Sequence, residues 1–115
     1  MRVELPSGGW VEIRESLKAK DKFAVQDSIT FTVTGGQQQE VSAGIQNKMR
    51  NALLSMVITS WSLDGVSLPS DVRNVQGGRL DADEYLGEVF DLDDYNALSS
   101  AVEPMLAKVM FTSPN

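Results

Sequence analysis

The chain has 115 residues, 42% of them hydrophobic, which fits one modest core in a single globular domain rather than a disordered segment. It holds no cysteine and no histidine, which excludes a disulfide framework, thiol chemistry and the commonest general base and neutral metal ligand. A net charge of −6 without a basic cluster argues against nucleic-acid binding, and no apolar run approaches the roughly 20 residues of a membrane helix. The opening Met1-Arg2-Val3-Glu4 carries no signal-peptide apolar region, so export is not expected.

In residues 2–14, Val3, Leu5, Val11 and Ile13 alternate with Glu4, Glu12 and Arg14. Pro6-Ser7-Gly8-Gly9 between the two runs has turn composition. The pattern predicts a β-hairpin with strands at 2–5 and 10–14. Two strands alone are marginal in water, so their apolar face must dock on helices. Trp10 is the expected core anchor of that hairpin.

Ser16 can cap a following helix that carries Leu17, Ala19, Phe23 and Ala24, and residues 17–27 read as helical. Residues 28–34 alternate with period two and are rich in β-branched side chains, yet also continue the helical spacing; both readings stand at this level. Gly35-Gly36-Gln37-Gln38-Gln39 is a polar loop.

Residues 41–63 form the longest periodic run. Val41, Ile45, Met49, Leu53, Val57 and Trp61 stand four apart, the spacing that stacks side chains along one side of a helix. Lys48, Asn51 and Ser55 fall opposite, and Leu54 and Ile58 widen the apolar arc. An arc that wide predicts a long central helix with neighbours on several sides. Val57, Ile58 and Thr59 are β-branched and would also suit a strand, but a periodic run of this length favours helix over 41–63. Ile45, Met49, Leu53, Val57 and Trp61 are its expected core residues. Gly65 is a plausible helix terminator.

Residues 64–80, with Pro69, Asn74, Gly77 and Gly78, lack sustained periodicity and read as a mobile loop, from which Leu68 can tuck onto the core. Residues 81–94 carry seven carboxylates interleaved with Tyr85, Leu86, Val89 and Phe90. Asp91 is placed as an N-cap with Asp94 as its acidic box partner. A last helix over 92–110 follows, with Leu98 and Val102 in the core; Pro104 interrupts it, and a kink or restart is expected near Glu103. The whole predicts a mainly α (α+β) fold: one small domain over residues 1–115, an N-terminal β-hairpin packed on a few helices, and a long central helix.

The acidic cluster is the one concentration of a chemical type. Asp81-Ala82-Asp83-Glu84 and Asp91-Leu92-Asp93-Asp94 lack the ligand spacing and the glycine of a calcium loop. Capping and a solvated face account for them, so no metal and no cofactor are expected. The serines have no histidine to activate them, and Gly8-Gly9 and Gly77-Gly78 are lone doublets rather than a phosphate loop. Neither catalytic residues nor a small-molecule substrate are expected.

Four pieces carry a resemblance to a known family. They are Val3-Glu4-Leu5-Pro6-Ser7-Gly8-Gly9-Trp10-Val11-Glu12-Ile13-Arg14, then Lys20-Asp21-Lys22 leading into Ala24-Val25-Gln26-Asp27, then Met49-Arg50-Asn51-Ala52-Leu53-Leu54 with Ile58-Thr59-Ser60-Trp61-Ser62-Leu63, and Asp93-Asp94-Tyr95-Asn96-Ala97-Leu98. In this order and over nearly the whole chain, it resembles the small tail assembly chaperones of long-tailed bacteriophages, especially those of actinobacteria. The Gln37-Gln38-Gln39 loop and the Gly77-Gly78 insert depart from that pattern.

The resemblance implies a non-enzymatic helper that binds the tape measure protein and keeps it soluble during tail tube assembly. It also implies repeated copies along one client, residence in the host bacterial cytoplasm and absence from the mature virion. The expected client surface is the last helix with the segment before it, through Tyr85, Leu86, Phe90, Met105 and Met110. Methionine is an adaptable contact residue, though equally a core one. Two other readings stand beside it: a head–tail joining or tail-completion protein of the virion, and a generic protein-interaction domain.

Overall fold

A computed structural model describes residues 1–33, 43–75 and 81–111. The chain is an α+β domain. Strands β1 (Arg2–Glu4) and β2 (Trp10–Ile13) are followed by helices α1 (Ala19–Val33) and α2 (Ala43–Val57), strand β3 (Ile58–Trp61), and helices α3 (Pro69–Val75), α4 (Ala82–Val89) and α5 (Leu92–Phe111). The strands form one antiparallel sheet in the order β1-β2-β3.

The hairpin forms where the alternation places it. Val3 faces Val11 across the pair, and both point into the core with Leu5 and Ile13. Gly8 holds the turn at φ +103°, a left-handed conformation that side chains with a Cβ disfavour. Gly9 lies so close to Ser62 that an added Cβ would sit 2.6 Å from its hydroxyl oxygen. That hydroxyl instead accepts the Trp10 N–H at 2.9 Å.

Trp10 is not the core anchor expected of it. It is half-buried, and its ring carries the Arg2 guanidinium 4.1 Å from the centroid. The amphipathic ring lies at the sheet margin, where a cation can cover its outer face.

The central helix is central but shorter than its periodicity predicts. It ends at Val57, and residues 58–61 leave it as β3. The cause is a waiting partner. Strand β2 offers its free edge, pairing Val11 with Trp61 and Glu12 with Ser60. Arg14 closes the helix end: its N–H donates to the Val57 carbonyl at 2.8 Å and Nη2 to the Met56 carbonyl at 3.1 Å. Ile58 and Thr59 then follow the β preference of branched side chains, Ile58 inward and Thr59 outward. Gly65, at φ +77°, serves the turn after β3 and does not terminate a helix.

Helix α2 contacts α1, α3, α4 and α5. Part of its polar face is therefore buried too: Asn51 is 6% exposed and Ser55 fully buried, while Lys48 stays exposed. Ser55 satisfies its hydroxyl on the Ala52 carbonyl at 2.7 Å. Met49, Leu53, Val57, Leu98 and Val102 lie in the core as expected, while Ile45 and Trp61 pack against it half-buried. The Trp61 ring meets Phe90 edge-on, with centroids 5.6 Å apart, and its Nε1 donates to the Val66 carbonyl at 3.1 Å.

Residues 28–33 continue α1, so packing against α2 overrides the local β preference. The expected loop over 64–80 contains α3, which opens with Pro69 at a first-turn position that needs no N–H donor. Leu68 packs onto the core as expected. Residues 76–80, and the polar loop at 35–39, lie outside the described residues.

Helix α4 is capped by Asp81, whose carboxylate accepts the Glu84 N–H at 3.2 Å. Helix α5 runs without a break through Pro104, contrary to the expected restart. Asp94 is not the box partner of Asp91. Its carboxylate accepts the Ser7 N–H at 3.0 Å and the Ser7 hydroxyl at 2.6 Å, tying the hairpin turn to α5.

Candidate functional site

A cleft of about 720 Å³ opens between the first half of α2, the outer side of α4 and the first turn of α5. Ile45 and Phe90 give it apolar walls, and Leu92, itself 73% exposed, stands at its margin. Gly87 of α4 also lines it. A Cβ built on Gly87 meets no described atom within 4 Å, so this glycine faces open space.

One corner of the cleft is polar and tied together. The Tyr95 hydroxyl donates to Asn51 Oδ1 in a short hydrogen bond. Asn51 Nδ2 donates to Asp83 Oδ1 at 2.7 Å, and Lys48 Nζ to Asp83 Oδ2 at 3.0 Å. The chain Tyr95–Asn51–Asp83–Lys48 links α5, α2 and α4, which holds the walls of the cleft at fixed spacing. Arg50 reinforces it from behind, with Nη1 on Asn47 Oδ1 at 2.7 Å and Nη2 on Glu103 Oε2 at 3.0 Å. Burial works against the Arg50 charge, but Glu103 and the Tyr95 hydroxyl outweigh it and raise the guanidinium above its usual value.

A second charged centre joins the end of β2 to the start of α1. Asp21 is fully buried. Both its oxygens accept from Arg14, each at 2.9 Å, and Oδ2 also takes the Lys18 N–H at 2.8 Å, which caps α1. Burial alone would raise the Asp21 carboxyl, yet the Arg14 and Lys18 hydrogen bonds together hold it below its usual value. Its three hydrogen bonds all come from donors that hold the fold, so this is a structural clamp.

Compared with known protein families, curated proteins and solved structures, the chain matches none. Among the described residues, no group of three or more histidines, cysteines or carboxylates could hold a metal ion. Among them, too, no helix is long and apolar enough to cross a membrane.

The five residues expected to form a client surface do not assemble as one. Leu86 is fully buried and Phe90 only 7% exposed, both as core residues. Of the five, Phe90 alone lines the cleft. Tyr85 is half-buried, its hydroxyl donating to the Ser67 carbonyl in a short hydrogen bond, and burial with the nearby Asp71 charge raises its pKa above the usual phenol value. Met105 is half-buried against the core, and the Met110 side chain lies outside the described residues. The amphipathic reading of α4 picked the face that closes the core and left out Asp83 and Gly87, which line the cleft; Phe90 serves both.

Sequence reasoning missed Asn51, Asp83, Gly87 and Tyr95. Of these, the sequence signals Gly87 most directly, as a glycine inside the helical pattern Ala82-Asp83-Glu84-Tyr85-Leu86-Gly87-Glu88-Val89, and Asn51 as a polar residue on the narrow face opposite a wide apolar arc.

Proposed function

We propose that the chain is a non-enzymatic chaperone of the phage tail assembly kind. It binds a tape measure protein in the host cytoplasm, keeps it soluble while the tail tube assembles, and is released before the virion matures. The observation that supports this most is the cleft: an open, largely apolar groove between helices with one tied polar corner. Such a groove suits an extended helical protein partner, gripped through apolar anchors at helical spacing. The four sequence pieces that resemble the tail chaperones supply the client. A long client that must later be released calls for many similar, modest contacts, and a net charge of −6 keeps loaded complexes apart.

The test is co-expression of a tape measure fragment with and without the chain. Soluble recovery of the fragment rises several-fold when the chain is present. Equal recovery in both cases removes this reading in favour of a virion component, which purified particles would then contain.

A further inference from the structure

We propose that the cleft seats one amphipathic helix of the client. That helix crosses α4 at Gly87, with its lysine- or arginine-bearing flank turned toward the acidic segment 81–94. The client's identity rests on the chaperone reading; the geometry of the seat does not.

Gly87 is the first reason. Glycine in a helix interior is destabilising relative to alanine, and it persists where a backbone must twist or be approached closely. Among the described residues the positive-φ glycines are Gly8 and Gly65, so Gly87 is not needed for backbone twist. No described atom lies within 4 Å of its missing Cβ, so the approach does not come from the described fold. A bare backbone lining an apolar cleft is the surface on which a second helix can pack at short range, with Phe90 and Ile45 to receive its larger side chains.

Charge is the second reason. Between Arg79 and Lys108 the sequence has no lysine or arginine, and residues 81–94 hold seven carboxylates. Glu84, Glu88 and Asp91 are exposed. Lys48, the basic residue of the lining, already pairs with Asp83. Glu84, Glu88 and Asp91 each adjoin a lining residue in sequence (Asp83, Gly87 and Phe90), so the exposed charge next to the cleft on α4 and just after it is negative, and it favours a basic flank while repelling an acidic one.

The test uses the full chain as wild type, Gly87→Ala and Gly87→Leu. The probes are two designed helical peptides of about six turns with the same leucine–alanine face, one flanked by lysines and one by glutamates. Wild type binds the lysine peptide at least about tenfold more tightly than the glutamate peptide. Gly87→Leu melts no lower than wild type, because its side chain enters open space, yet binds the lysine peptide at least about tenfold more weakly; Gly87→Ala falls between. Undiminished binding by a folded Gly87→Leu or Gly87→Ala, equal binding of the two peptides, or binding of neither overturns the proposal. The chaperone reading fails separately. If wild type and Gly87→Leu rescue a tape measure fragment equally, the chaperone stands and this seat falls. Peptide binding as described without any rescue keeps the seat and removes the client.

Discussion

Asp21 shows most plainly how a charged residue becomes part of this core. Fully buried, it is tolerable because Arg14 meets it in a two-bond fork and Lys18 supplies a backbone donor. Removing Arg14 leaves the carboxylate buried without its cation, and Arg14→Ala should cost about 3–5 kcal/mol in denaturant unfolding. The pH dependence follows from the lowered Asp21 value. The unfolded chain takes up this proton first, at the ordinary carboxylate value of about 3.8, and the folded chain only at lower pH. The stability contribution is thus complete above that value and is lost as pH falls through the folded one. Urea midpoints measured from neutral to acid pH should fall more steeply for wild type than for Asp21→Asn. Parallel curves would mean that the pair does not set acid stability. Of this clamp, the sequence offers the residues Arg14 and Asp21, seven positions apart, but nothing local says that they meet.

At the scale of elements, what was legible in the sequence was what local pattern decides. The hairpin follows from alternation and a glycine turn; α2 and α5 follow from three-four spacing over many residues. The errors fall where a distant segment decides. Residues 58–61 satisfy helical spacing through Val57 and Trp61, but the open edge of β2 and the two Arg14 hydrogen bonds at the helix end draw them into the sheet. Asp94 sits where a capping box would use it, yet Ser7, 87 positions away in sequence, claims its carboxylate. The candidate site was less legible than the fold, because apolar residues on α4 have two possible sides and the core takes the richer one. The Asp94 link makes an element-scale prediction. Asp94→Ala removes two hydrogen bonds to a charged acceptor and should cost about 2–4 kcal/mol. Amide exchange should quicken first at the turn around Ser7 and Gly8, rather than in α2. A uniform loss of protection would mean that the hairpin and α5 do not open separately.

For the whole molecule, the arrangement separates two tasks. The sheet, α1 and the Arg14–Asp21 clamp secure the ends of α1 and α2; α4, α5 and the polar chain from Tyr95 to Lys48 frame the cleft with α2. A cleft built between helices that also close the core is held in shape by the fold's own stability. That suits the proposed chaperone role, in which many copies would present the same groove along a long partner. The most direct measurement of the central claim is hydrogen exchange on the full chain with and without a soluble tape measure fragment. The account predicts added protection concentrated at residues 44–51 and 83–95, the segments that line the cleft, with the β1–β2 hairpin unchanged. Protection confined to the hairpin or α1, or no change anywhere at saturating fragment, would contradict it.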